Sequence, residues 1–186
     1  MKISPINDCG WDYRGARLCV RLTADDGVTY MFETHYTITD LYDQPAAGTS
    51  FCVRDASLLT DFEEGLARVG LDDGACLDLG LNAVACARFV RQTVPVTRYF
   101  IRPRTGCEPK RGDVVSIYAK SGGIADCMVI EETDADYLCR LMLLNPGFSF
   151  SDREIRKCRL GAMIRVRSDM VCTFRNFARQ GEKRYA

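Results

Sequence analysis

Several things are scarce in this chain of 186 residues, and each scarcity excludes something. No apolar run approaches the roughly 18 to 20 residues that cross a bilayer. The opening Met1-Lys2-Ile3-Ser4-Pro5-Ile6-Asn7-Asp8 is broken by polar residues and has no signal-peptide core. A soluble, cytoplasmic protein with no membrane partner is therefore expected. Histidine occurs once, as His35. No G-x-x-x-x-G-K-[ST] or G-x-G-x-x-G is present, which removes the P-loop and the dinucleotide fingerprint. Internal repeats and low-complexity tracts are absent as well.

Cysteine is plentiful but badly spaced for chemistry. The ten residues stand at 9, 19, 52, 76, 86, 107, 127, 139, 158 and 172, no two of them closer than ten positions. Zinc sites favour close pairs such as C-x2-C, and a disulfide framework needs an oxidising compartment. Most of these cysteines adjoin apolar residues, as in Leu18-Cys19-Val20 and Phe51-Cys52-Val53. They read as small buried hydrophobes, and no metal or cofactor is expected.

The formal net charge of zero conceals a division. Residues 1–87 hold six Lys/Arg against fourteen Asp/Glu; residues 88–186 hold nineteen against eleven. Such asymmetry speaks to partners more than to fold. The basic residues are mostly arginine, with only five lysines.

Hydrophobic periodicity predicts an α+β protein. Strand formers at 16–24 and 28–36 flank Asp25-Asp26-Gly27, a hairpin signal, and Thr49 to Val53 adds a short strand. Asp55 is placed to cap a helix in which Leu58, Leu59, Phe62, Leu66 and Val69 share one face, closed by Gly70. Residues 76–92 fit strand or helix; a helix from about 81 to 92 is favoured, ending before Pro95. Val96 to Arg102 reads as a strand. A linker at 102–110 divides an α+β part, residues 1–103, from a second part, residues 110–186. In the second part, strands at 113–119, 124–131, 137–144, 160–167 and 170–177 alternate with tight turns. The last of them pairs back after Ser168-Asp169, and Ser151-Asp152-Arg153-Glu154 opens a short helix. This pattern resembles a small SH3-like β-barrel in architecture.

Two constellations compete for function. Asp8-Cys9-Gly10, followed by His35-Tyr36 and Asp40, is similar to the Asp-Cys-Gly of bacteriocin-processing peptidases. That resemblance implies a cysteine hydrolase using Cys9 and His35, yet only 25 residues lie between them, too few for a papain-like domain to fold there. The stronger signal is basic. One segment holds Arg88, Arg91, Arg98, Arg102, Arg104, Lys110 and Arg111. The other carries Arg153, Arg156, Arg165, Arg167, Arg175 and Arg179, with Phe174 and Phe177 interleaved. The guanidinium fork matches phosphate and carboxylate, and aromatic residues beside arginine can hold single strands. The expectation is a non-enzymatic binding protein docking on a nucleic acid or nucleoprotein complex, such as a mobile-element inhibitor of the anti-CRISPR kind. A structural subunit of a larger assembly is a further alternative, and internal pairing of the basic segments with the acidic half is the bland one.

Overall fold

The computed structural model describes residues 9–23, 27–132, 137–150 and 158–174. Its first sheet contains β1 (Cys9–Arg14), β2 (Arg17–Thr23), β3 (Thr29–Thr37) and β4 (Thr49–Ser50), antiparallel in the order β3-β2-β1-β4. The β2–β3 hairpin forms as the turn signal predicts. β1 was not anticipated. Its alternation is short, but it turns Cys9, Trp11 and Tyr13 toward the same core as Leu18, Val20 and Leu22 of β2.

Two helices cover that face. In α1 (Val53–Arg68), Leu58, Leu59, Phe62 and Leu66 are buried, as their spacing requires. Its N-cap is Cys52, three residues before the expected Asp55. Asp55 instead occupies the third helical position, where its carboxylate accepts the Cys52 N–H at 3.0 Å. Gly70, at φ 86°, closes the helix. The second helix, α2 (Asp73–Phe89), begins well before residue 81 because Asp72 caps it, its Oδ1 accepting from the Ala75 N–H at 3.0 Å. Residues Gly80 through Cys86 are all buried. Over that stretch the helix is enclosed and shows no polar face to reveal its period.

The second sheet lies across the helices from the first. β6 (Val114–Ala119), β7 (Ile124–Glu131), β8 (Leu138–Leu143), β9 (Met163–Arg167) and β10 (Val171–Thr173) follow the order β10-β6-β7-β8-β9, with β5 (Phe100–Ile101) also on β6. Side chains alternate between two cores. Val114, Met128, Ile130, Met142 and Met163 join the helices and first sheet. Val115, Ile117, Cys127, Val129, Leu141, Ile164 and Val166 form a second cluster with Phe100 and Phe148. Among the described residues β9 and β10 do not pair, so the sheet is open and no closed barrel forms. The 3-10 turn Ser168–Met170 re-aims the chain, and β10 returns to β6 instead of folding back on β9. Residues 96–102, expected as one strand, are a 3-10 turn (Thr97–Tyr99) followed by the two-residue β5. The helix expected from residue 151 lies outside the described residues.

Seven cysteines are buried: 9, 19, 76, 86, 127, 139 and 172. Burial pushes the Cys86 thiol up to about 11. Among the described residues no helix is long and apolar enough to cross a membrane.

Candidate functional site

The arginines divide by what they touch. Several pair with the acidic half of the chain. Arg159 meets Asp40 at 2.8 Å and Arg111 meets Asp61 at 3.4 Å, while Arg88 is paired with the buried Asp55. Arg140 is itself buried. One of its Nη groups donates to the carbonyls of Cys86 (3.2 Å) and Val90 (3.4 Å) at the end of α2; the other reaches Glu131 Oε2 at 3.1 Å. A cation at a helix C-terminus satisfies carbonyls that the helix leaves unpaired. All four arginines belong to the architecture, and Arg88, Arg111 and Arg159 pair with the acidic half as the internal-pairing alternative expects.

A second group faces outward. Residues 93–97 run beside β9, held by three hydrogen bonds. Thr93 Oγ1 donates to Met163 O at 3.4 Å, Val96 N–H to Arg165 O at 2.9 Å, and Arg167 N–H to Thr97 Oγ1 at 3.1 Å. The two basic segments, some 70 residues apart in sequence, are therefore brought side by side. Arg91 and Arg98 come from one, Arg165 and Arg167 from the other. Arg91 Nε donates to Leu41 O at 2.7 Å, Arg98 lies over the Tyr99 ring at 4.7 Å, and Arg167 pairs with Asp169 at 2.8 Å. Between Arg91 and Arg98, Val94 is 81% exposed. Arg98 and Arg167 are exposed and Arg165 is half-buried.

Of the other expected site residues, Arg153, Arg156, Arg175, Phe177 and Arg179 lie outside the described residues. Phe174 is half-buried and packs against the first core. What the sequence did not reveal was the adjacency of segments 91–98 and 163–167, which depends on β9 lying next to the chain that follows α2.

Cys9 and His35 are not brought together. Cys9 is buried opposite Leu22, and β2 lies between β1 and β3. Leu22 pairs in turn with Tyr30, five residues before His35. The resulting separation is on the order of 15 Å along the strands alone, well beyond hydrogen-bond reach. Asp40, the supposed third member, is engaged elsewhere. Burial alone would raise its carboxyl, but hydrogen bonds from Arg159 and Thr37 outweigh burial and hold it below the usual range. The hydrolase alternative has no assembled nucleophile and base.

Comparison with known proteins changes the partner class. Residues 2–91 match the family model described as cell-division protein ZapC, N-terminal. The chain is 28% identical over 137 residues to the cell division protein ZapC of Photobacterium profundum, covering 74% of this chain and 76% of that protein. It is 26% identical over 175 residues to the protein of the same name from Musicola paradisiaca, covering 92% and 90%. For that of Xenorhabdus bovienii the figures are 27% over 165 residues, covering 85% and 86%. These names state a role in division and no reaction. They overturn the expectation of a nucleic-acid or nucleoprotein partner and of an anti-CRISPR inhibitor. Arginine density suits carboxylates as well as phosphates, so charge alone had misdirected the choice of partner.

Proposed function

We propose that this chain is a non-enzymatic, cytoplasmic binding factor of bacterial cell division, acting by docking a protein of the division apparatus. The likeness to ZapC proteins, extending over 92% of the chain in one relative, carries the reading. The docking surface is the arginine face built from Arg91, Arg98, Arg165 and Arg167 around Val94, and its complement is an acidic segment of the partner protein. The strand order of the second sheet, with a 3-10 turn leading β10 back to β6, supports an SH3-like unit as the scaffold of half that face.

A fluorescent fusion should concentrate at the division site of dividing cells, and affinity capture should return division proteins equally with and without nuclease. Diffuse fluorescence, or partners lost on nuclease treatment, would refute the proposal. The Arg98→Ala, Arg167→Ala double variant should bind the captured partner at least about tenfold more weakly, which is the loss of roughly 1.4 kcal/mol. Its unfolding midpoint should barely move, since exposed substitutions usually stay within about ±0.5 kcal/mol each. Unchanged affinity would place the docking surface elsewhere.

A further inference from the structure

The turn Arg159–Gly161 is fastened to the first sheet through side chains near the end of β3. Tyr36 OH donates to Gly161 O at 2.8 Å, and Arg159 pairs with Asp40. The His35 ring fills the remaining space. A Cβ on Gly161, which sits at φ 75°, would stand only 3.1 Å from His35 Cδ2. His35 Nε2 is buried in this contact and has no hydrogen-bond partner among the described residues. A neutral imidazole can leave one nitrogen as an unused acceptor, whereas the charged ring carries a proton on both nitrogens. Here the second proton would be buried with nothing among the described residues to receive it.

The charged groups that act on the ring come from α2, β2 and the turn. Asp78 and Asn82 lie on α2, with Asn82 Oδ1 accepting the His35 N–H at 2.7 Å. Arg17 lies on β2, and Arg159 on the turn itself, its charge shared with Asp40. Burial is the largest influence and lowers the ring's affinity for protons. Asp78 opposes it, and Arg159 and Arg17 reinforce it.

We infer that His35 is an acid-sensitive latch, whose protonation frees the Arg159–Gly161 turn from the first sheet. The latch is independent of the docking surface proposed above. The unfolded chain takes up this proton near pH 6.5, while the folded chain resists it to lower pH. The stabilisation is present above about pH 6.5 and is lost as the pH falls below that value.

Because His35 is the only histidine, its ring protons can be followed in the intact protein by NMR as pH is lowered from 7.5. Hydrogen exchange at Gly161 and Ala162 can be read in the same samples. The ring should titrate below 6.5, and protection of the turn, corrected for the tenfold slowing of intrinsic exchange per pH unit, should fall between 6.5 and that value, about tenfold for each pH unit separating them. His35→Gln, which cannot titrate, should remove that loss of protection. A ring titrating at 6.5 or above, a protonated ring with the turn still protected, or the same loss of protection in His35→Gln would overturn the latch. Should His35→Gln fail to fold, the wild-type curves decide the matter: loss of protection that begins near pH 6.5 and levels off at the ring's own titration supports the latch, and any other order overturns it.

Discussion

Gly65→Ala should lower the stability of this protein by more than about 3 kcal/mol, beyond the usual range of core overpacking. Propensity alone predicts the opposite sign, because alanine in a helix is favoured over glycine by roughly 1 kcal/mol. Geometry decides against propensity here. A Cβ on Gly65 would stand 1.7 Å from the carbonyl oxygen of Gly112, an impossible distance to backbone. Gly112 cannot retreat easily, since its N–H donates to Val129 O at 2.9 Å. A Cβ on Gly112 would in turn lie 2.7 Å from Asp61 O. The pair lets the backbone of α1 lie directly on the turn that opens β6. A denaturant melt checks the prediction, and a loss below about 1 kcal/mol would mean that the close approach can relax at little cost.

Asp55→Ala should cost roughly 3 to 5 kcal/mol, the range found when one member of a buried ion pair is removed. The carboxylate is 1% exposed and serves three donors. It accepts from Arg88, from Trp11 Nε1 at 3.3 Å, and from the Cys52 N–H that opens α1. Removing it strands a guanidinium against the core, leaves a buried indole N–H unpaired and loosens a helix cap. Thermal unfolding of Asp55→Ala beside Arg88→Ala and the double variant would show the coupling as strong non-additivity. Additive losses would mean that the pair is not the source of the effect.

Asp55 shows where the sequence was readable and where it was not. Its place at the start of α1 followed from the apolar spacing of Leu58, Phe62 and Leu66. Its burial did not, because the partners are Trp11 on an unforeseen strand and Arg88 on another helix. The late start assigned to α2 has the same origin. Leu77, Leu79 and Leu81 alternate like a strand, and only the Asp72 cap marks the true beginning. Arginine content was readable too, but a guanidinium that closes α2, as Arg140 does, looks in sequence like one that faces a partner. Only packing separates them. Nor does any local signal state that β10 pairs with β6, since its partner strand lies more than fifty residues earlier.

The enclosure of α2 between two sheets has a consequence during synthesis. Tyr36 finds its hydrogen-bond acceptor 125 residues downstream, at Gly161, and Met128, Met142, Met163 and Phe174 complete the core that the first strands begin. At typical elongation rates the ribosome needs roughly 6 to 25 seconds to make that span. For that interval the nascent chain carries half a core whose matching strands do not yet exist. Holding such a chain apart from its neighbours is a task for chaperones.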